Sequence, residues 1–426
     1  MNTFLKIATF SILISAPVVA HAQGSLKPPA APAPTQKSLQ EIWEKIEDLS
    51  EQNDHLKTEI DKLSESHNHQ SNYLAALFQD QLPWENTLVD DEREAGLYSS
   101  LAFNSLGHPA ISYLRFTRGD LYFAQFDGSE WTKTLVDPQN AGFHCSLAFN
   151  SNDQPAISYL ENINKDLKYA EFNGSEWVRT RVDSEGNVGS FTSLKFSPNG
   201  APAIAYLDTD SRRIKFAQRL RSVWETSFVE PKVEATGNPS FAFSPSGIPT
   251  IAYVDSISST LRYAQYDGNK WIVDEILTAH PQSAASLAFG PNGKATIAVS
   301  EGTTEQLILT NPEALTANSM TVDSLDGSGP DISLVFDPYG HPSIAYTHSG
   351  TKSLRFARYD GSEWNIKTVY TSDESTIFYA SLAYDLDGQP AISYYERTEG
   401  DLYLAWRKIP TKNRVPVVIR PPLQRQ

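Results

Sequence analysis

Residues 100–103 read Ser-Leu-Ala-Phe, and this tetrapeptide returns six more times along the chain with small changes. The successive serines are 46, 47, 47, 46, 47 and 48 residues apart. A fixed period of this length is typical of solenoids, propellers and other repeat architectures. The seven serines are Ser100, Ser146, Ser193, Ser240, Ser286, Ser333 and Ser381.

Each repeat contains four short segments with the composition of β-strands. In the first repeat, segments 110–113 (AISY) and 121–124 (LYFA) follow the Ser-Leu-Ala-Phe run, and an Asp-Gly turn at 127–128 leads into a segment that begins at Trp131. Asp-Gly supplies the positive φ angles that a tight hairpin requires. Four short strands per repeat without a helical pattern indicate a β-propeller blade, in which the repeated tryptophans are expected to serve packing.

The two ends of the repeat region indicate a closed ring. The seventh repeat stops after its third segment, at 402–406, whereas residues 84–90 (WENTLVD) match the fourth segment of the first repeat, 131–137 (WTKTLVD). The N-terminal strand is therefore predicted to complete the last blade, which removes the exposed edges of an open array. The predicted fold is all-β, a seven-bladed propeller over 84–409.

The hairpin turns resemble a known propeller motif. Residues 126–131 (FDGSEW) and 359–364 (YDGSEW) look like relaxed versions of the Asp-box of sialidase-type propellers. The wider LxYAxxDGxxW pattern resembles repeat propellers of secreted bacterial proteins. This resemblance implies the fold and not an activity. The arginine triad of sialidases is not recognisable, since Arg262 and Arg355 occupy equivalent positions of two repeats.

The segments that flank the repeats predict export. Residues 1–22 have the features of a secretory signal peptide, with Lys6 before a largely apolar run and a small-x-small site before Gln23. The expected location is the periplasm, the cell surface or the extracellular space, and no transmembrane segment is expected in the mature chain. Residues 23–37 read as a Pro/Ala-rich linker and 410–426 as a basic, proline-containing tail.

Residues 38–80 are predicted to form a coiled-coil oligomerisation stalk. Apolar residues follow one another at alternating steps of three and four, the spacing of a heptad seam. An asparagine at an inner position favours a parallel arrangement in fixed register. A parallel dimer is favoured, a trimer is the alternative, and a helix folded against the propeller is a third interpretation. The seam residues are Leu39, Ile42, Ile46, Leu49, Asn53, Leu56, Ile60 and Leu63.

Composition excludes several classes of function. The 426 residues carry a formal net charge of −16, which argues against a nucleic-acid partner. A single cysteine, Cys145, excludes a disulfide framework and cysteine-rich zinc sites, and it is predicted to be a buried, inert thiol. No cofactor and no metal is predicted. A ring of mostly acidic residues after the fourth strands could bind calcium, but local turn formation is the favoured interpretation: Asp90, Asp137, Asp183, Glu230, Leu277, Asp323 and Tyr370.

The predicted ligand site lies where the chain enters each innermost strand. These positions converge on the propeller axis, on the face that also carries the variable loops. Read around the ring they give a contiguous aromatic arc with polar residues in the remainder, which suits a sugar or a peptide. The alternative is that the aromatic rings only anchor their own loops. The candidate residues are Tyr98, His144, Phe191, Asn238, Asp331 and Tyr379, followed by Phe116 and Arg118 in the first variable loop.

The sequence predicts a secreted, non-catalytic binding protein. The coiled coil would present propeller faces to a glycan or protein ligand, in the manner of a lectin or an adhesin. Two alternatives stay open at this point. One is a glycan-cleaving enzyme on the same scaffold, which needs two converging carboxylates; the other is an assembly scaffold for a cell-envelope complex.

Overall fold

A computed structural model describes residues 41, 43–59, 82–138, 140–230, 235–255, 257–278, 284–301, 306–312, 319–324, 331–374 and 376–407. The predicted signal peptide, linker and basic tail lie outside the described residues, as do Leu39, Ile42, Ile60 and Leu63 of the predicted seam. Residues 43–59 form a single α-helix, α1. The helix and the strands belong to two separate compact units.

The strands form seven four-stranded antiparallel sheets, which confirms the seven-bladed propeller. Each of the first four blades uses four consecutive strands, as the repeats predict. Their strands are β2 (Ala95–Phe103), β3 (Pro109–Arg115), β4 (Asp120–Phe126) and β5 (Trp131–Asp137); β6 (Ala141–Phe149), β7 (Pro155–Glu161), β8 (Asp166–Phe172) and β9 (Trp177–Asp183); β10 (Val188–Phe196), β11 (Pro202–Asp208), β12 (Arg213–Leu220) and β13 (Val223–Phe228); and β14 (Ala235–Phe243), β15 (Pro249–Asp255), β16 (Thr260–Tyr266) and β17 (Trp271–Thr278).

The last blade takes its strands from both ends of the propeller region. Strand β1 is hydrogen-bonded to β28, with Glu85 opposite Trp406 and Leu88 opposite Tyr403, so it is the outer strand of blade 7. Blades 5 and 6 again use consecutive strands. The remaining strands are β18 (Ala285–Phe289), β19 (Ala295–Glu301), β20 (Gln306–Thr310) and β21 (Met320–Ser324); β22 (Ile332–Phe336), β23 (Pro342–His348), β24 (Ser353–Tyr359) and β25 (Trp364–Thr371); and β26 (Ile377–Tyr384), β27 (Pro390–Glu396), β28 (Asp401–Trp406) and β1 (Glu85–Asp90).

The repeated serine joins each blade to the next at the propeller axis. Its Oγ accepts the backbone N–H of the residue after the corresponding serine in the following blade, at 2.8–3.2 Å, and this bond is present at all seven junctions. The N–H groups at the free edge of the innermost strands would otherwise lack a partner, and an unpaired buried donor costs about 1–3 kcal/mol. The serine of the Ser-Leu-Ala-Phe motif is therefore explained by the hydrogen bond that it forms between adjacent blades.

The acidic ring forms a second, outer connection between blades. Five of its acids accept a hydrogen bond from a tyrosine hydroxyl of the next blade, at 2.6–2.9 Å. Some of them also accept a local backbone N–H, such as Asp183 from Glu185 at 3.2 Å. The interpretation of these acids as local turn formers was thus incomplete, because their main partners lie 22–23 residues further along the chain. The pairs are Tyr113 with Asp90, Tyr159 with Asp137, Tyr206 with Asp183, Tyr253 with Glu230 and Tyr346 with Asp323.

The tryptophans that begin the outer strands pack across blade junctions, as expected. Trp177 meets Phe123 of the preceding blade edge to face at 5.2 Å, and Trp84 meets Phe356 at 5.3 Å. The apolar clusters likewise combine residues of two adjacent blades, for example Leu101 and Leu404. The core therefore lies between the blades, which leaves the loop ends and the axis free to form a site.

Candidate functional site

An irregularity at the start of four innermost strands turns a side chain toward the axis. In β2, the four residues from Leu97 to Ser100 lie opposite the three residues from Leu114 to Ser112, so one residue is extra. β6, β10 and β26 carry the same bulge. Bulges re-aim side chains, and they are frequent beside functional sites. The residues at the bulges adopt positive φ angles of 56°, 52°, 52° and 60°, in the order Tyr98, His144, Phe191 and Tyr379.

These four side chains form a continuous aromatic wall. The ring of Tyr98 lies 4.6 Å from that of Tyr379 on one side and 4.4 Å from that of His144 on the other, measured between centroids. The His144 ring lies 4.0 Å from that of Phe191. Left-handed backbone at a bulky residue costs about 1–3 kcal/mol and persists only where the surroundings impose it. The wall is therefore a fixed, strained feature of the fold.

The wall belongs to a cavity at the mouth of the central channel. The cavity has a volume of about 630 Å³ and includes the equivalent position of every blade, so the structure brings together Tyr98, His144, Phe191, Asn238, Asp331 and Tyr379. Ala284 occupies the seventh position. The seven serines of the inner junctions also line it. Each serine oxygen accepts a backbone N–H, which leaves its hydroxyl proton available to a ligand or to water.

Burial shifts the pKa values of His144 and Asp331 in opposite directions. Burial lowers the pKa of His144 to about 4, so the imidazole is neutral at pH 7, and its Nδ1 has no hydrogen-bond partner among the described residues. Burial raises the pKa of Asp331 to about 6, although the backbone N–H of Tyr379 donates to its Oδ2 at 2.6 Å. Because this hydrogen bond joins it to Tyr379, Asp331 lies beside the end of the aromatic wall that Tyr379 forms.

Cys145 also borders the cavity and behaves as the sequence predicted. Its thiol is buried, donates to the carbonyl oxygen of Tyr98 at 3.1 Å and accepts from the Ser112 hydroxyl at 3.3 Å. Burial raises the pKa of this thiol to about 12. Since the thiolate is the reactive form, Cys145 is a structural neighbour of the site and not a nucleophile.

The two loop residues added to the candidate set are not in the cavity. Phe116 is 52% exposed, and among the described residues its ring contact toward the wall is Phe143, whose ring lies 6.4 Å from that of Phe116 and 6.0 Å from that of Tyr98. Arg118 is exposed on the same loop. The loop backbone is held by the Phe116 N–H, which donates to the carbonyl of Glu94 at 3.0 Å. These residues can contact only a ligand that extends beyond the cavity.

Sequence reasoning missed one aromatic side chain of the site. Phe378 precedes Tyr379 in the bulge of β26 and lines the cavity. The guanidinium of Arg397, in a variable loop, lies 5.9 Å from the centre of the Phe378 ring. The adjacent aromatic residues at 378–379 are the sequence feature that points to Phe378. Side chains of a regular strand alternate between its two faces, however, and this alternation assigns Phe378 to the blade interior. A bulge interrupts that alternation.

The cavity is equipped for stacking and hydrogen bonding. Among the described residues that line it, Asp331 is the only carboxylate, whereas glycoside hydrolysis by the usual mechanism uses two. Within the described ranges, no group of three or more His, Cys, Asp or Glu residues is placed to hold a metal ion. No helix in the described part of the chain has both the length and the apolar character needed to span a membrane.

Comparison with known proteins supports the fold alone. No protein-family model and no curated protein matches the chain. An ulvan lyase structure, a polysaccharide lyase bound to a -[GlcA(1-4)Rha3S]- unit, is 11% identical with a TM-score of 0.52 and covers 77% of this chain and 94% of its own. YCF48 from Cyanidioschyzon merolae is 12% identical with a TM-score of 0.51, covering 75% of this chain and 98% of its own. A lectin from Aleuria aurantia reaches a TM-score of 0.46 at 14% identity, covering 67% and 99%. The lyase and YCF48 have different functions, so a similarity at 11–12% identity shows the fold and not the function of this chain.

Proposed function

We propose that the protein is a non-catalytic binding protein that holds one sugar unit of a glycan at the mouth of its central channel. The observation that carries this proposal is the contiguous wall of Tyr379, Tyr98, His144 and Phe191 in a cavity of about 630 Å³. Cavities of roughly 300–1,000 Å³ with aromatic walls and a few polar groups are typical of small-ligand sites.

The chemistry of the wall matches that of a sugar ring. A pyranose has a C–H face that packs on aromatic rings and an edge of hydroxyl groups that need hydrogen-bond partners. Asn238, Asp331 and the serine hydroxyls provide donors and acceptors around the remainder of the cavity. The strained bulges hold the rings in place before binding, so that little side-chain entropy is lost when the ligand arrives.

Catalysis finds less support in the geometry. His144 and Asp331 are the lining side chains best suited to act as base and acid, yet they belong to blades 2 and 6, and no contact between them is found among the described residues. With Asp331 as the one carboxylate of the described lining, the residues needed for acid–base cleavage of a glycan do not converge.

We further propose that the chain is exported and oligomerises through α1. Ile46, Leu49 and Leu56 follow the predicted heptad seam and are 52–57% exposed on the helix of a single chain. A parallel partner helix would cover this stripe and pair Asn53 with its counterpart. Two or three propellers on one stalk would bind a multivalent glycan more tightly than one, by roughly 10²–10⁴-fold.

The test is binding to an immobilised array of neutral and acidic glycans. We expect the mature protein to bind a subset, and we expect Phe191→Ala or Tyr98→Ala to weaken binding at least tenfold while circular dichroism and thermal unfolding show a folded propeller. Leu106→Ala, at an exposed turn that does not line the cavity, is the matched control. Binding that survives both cavity variants, or an array that stays silent while a peptide array responds, contradicts the proposal.

A further inference from the structure

One inner position departs from an otherwise apolar set. Two residues after each repeated serine, six blades carry a small apolar residue and blade 3 carries Lys195. Within the seven innermost strands β2, β6, β10, β14, β18, β22 and β26, Lys195 is the single charged residue. The six counterparts are Ala102, Ala148, Ala242, Ala288, Val335 and Ala383.

The strand geometry places the Lys195 side chain in the central channel. Ser193 and Lys195 are two residues apart in β10, so they project from the same side of the strand, and the Oγ of Ser193 accepts the N–H of Phe241 in blade 4. β10 pairs with β11 on one edge only, and its other edge faces the axis. Lys195 is nevertheless exposed. The free edge of β10 thus gives the exposed Lys195 side chain a path into the channel.

Lys195 is not among the residues that line the cavity, but it follows one of them along β10. Ser193 lines the cavity floor, and Lys195 follows roughly 6.6 Å further along the strand. The flexible four-carbon stem of a lysine is long enough to bring its ammonium group to the level of the serines. No hydrogen bond or ion pair of Lys195 with the described residues is found.

The surroundings make this cation costly without a partner. Enclosure by the channel lowers the pKa of Lys195 below its ordinary value through loss of hydration, although water reaches the side chain. If the position needed only filling, methionine or leucine would do so without that cost. A cation with reduced hydration among apolar counterparts, in a protein of net charge −16, favours a negatively charged partner supplied from outside.

We infer that the channel cavity takes an acidic sugar unit, a uronic or sialic acid, whose carboxylate enters the floor of the cavity and pairs with the Lys195 ammonium group. The serine hydroxyls around the floor donate to the same carboxylate, and the aromatic wall holds the sugar ring above it. This inference rests on the proposed glycan site and adds its charge selectivity.

The experiment uses acidic glycans and the same glycans after carboxyl reduction, which converts each acid into a neutral sugar and leaves the rest of the structure unchanged. The wild-type protein is expected to bind the acidic forms at least tenfold more tightly, because a charge-assisted hydrogen bond in an enclosed site has about that effect. Lys195→Met should remove this preference and still bind the reduced glycans. Lys294→Met, at an exposed turn of blade 5, should keep it.

The outcomes separate the two proposals. Equal binding of acidic and reduced glycans by the wild type, or a preference that persists in Lys195→Met, overturns the role of Lys195 and leaves the glycan site intact. Failure to bind either form overturns the glycan site itself. Lys195→Ala provides a second variant in case the longer methionine perturbs the channel, since alanine is the residue that five other blades carry.

Discussion

The junction between blades 2 and 3 allows a strong test of how the ring is held together. The Tyr206 hydroxyl donates to Asp183 at 2.6 Å, and the ammonium group of Lys215 forms an ion pair with the same carboxylate. All three residues are buried. Asp183→Leu leaves Lys215 as a buried charge without this partner, and breaking a buried pair in this way costs about 3–5 kcal/mol. That is a large share of the roughly 5–15 kcal/mol by which domains are stable.

The protein itself contains an apolar version of this junction. Between blades 4 and 5 the corresponding positions are Leu277, Val299 and Ile308, in place of the acid, the tyrosine and the base. The triple variant Asp183→Leu, Tyr206→Val, Lys215→Ile transfers this set. Because an apolar set can replace a buried ion pair at little cost, we expect the triple variant to recover most of the stability lost by the single one.

Urea unfolding at pH 7 and pH 3 measures both effects. Burial alone would raise the pKa of Asp183, but hydrogen bonds from Lys215 and Tyr206 lower it overall. A folded pKa below the unfolded value gives stability that is present above about pH 4 and is lost as pH falls through the folded pKa. The wild type should therefore lose more stability than the triple variant on acidification. A triple variant as unstable as Asp183→Leu, or a single variant with wild-type stability, refutes this account of the junction.

Two further predictions concern the site and the stalk. Burial raises the pKa of Asp331 to about 6, so folding disfavours its ionised form at pH 7. Asp331→Asn should therefore stabilise the propeller at pH 7 by up to about 3 kcal/mol, less any screening by channel water. This gain in the free energy of unfolding should vanish below about pH 4, and a gain that does not depend on pH contradicts the explanation. Asn53→Ile in the full chain should raise the melting temperature of the helix and loosen its choice of oligomer, as measured by light scattering; a monomeric wild type at micromolar concentration refutes the stalk.

The fold was accessible from the sequence because its information is periodic. A 46–48-residue period with four strand segments specifies the blade, and the match of residues 84–90 to 131–137 specifies which strand pairs with β28. The convergence of the candidate residues on one cavity was accessible for the same reason. Equivalent positions of a closed ring converge on one axis, so the residue two before each repeated serine could be placed at the cavity without knowledge of any contact.

Other features are not determined by the period. Phe116 and Arg118 lie in a loop whose path depends on bonds such as that from the Phe116 N–H to Glu94, so their distance from the axis could not be read from the repeat. The acids were interpreted from their immediate neighbours, whereas Asp137 is explained by Tyr159 in the next blade. Contacts between blades appear in the sequence only as coordinated changes, such as the joint loss of acid, tyrosine and base at the junction that carries Leu277.

Structural and functional departures from the repeat differ in whether other residues change with them. Where Leu277 replaces an acid, Val299 and Ile308 replace the residues that would have paired with it, so the change is balanced within the fold. At Lys195 no such counterpart exists, because the six equivalent residues stay small and apolar and no other innermost strand carries a charge. A substitution that is matched by changes in the residues around it preserves the stability of the fold. The exposed Lys195 ammonium group pairs with no described residue, which leaves it available to a negatively charged ligand in the channel.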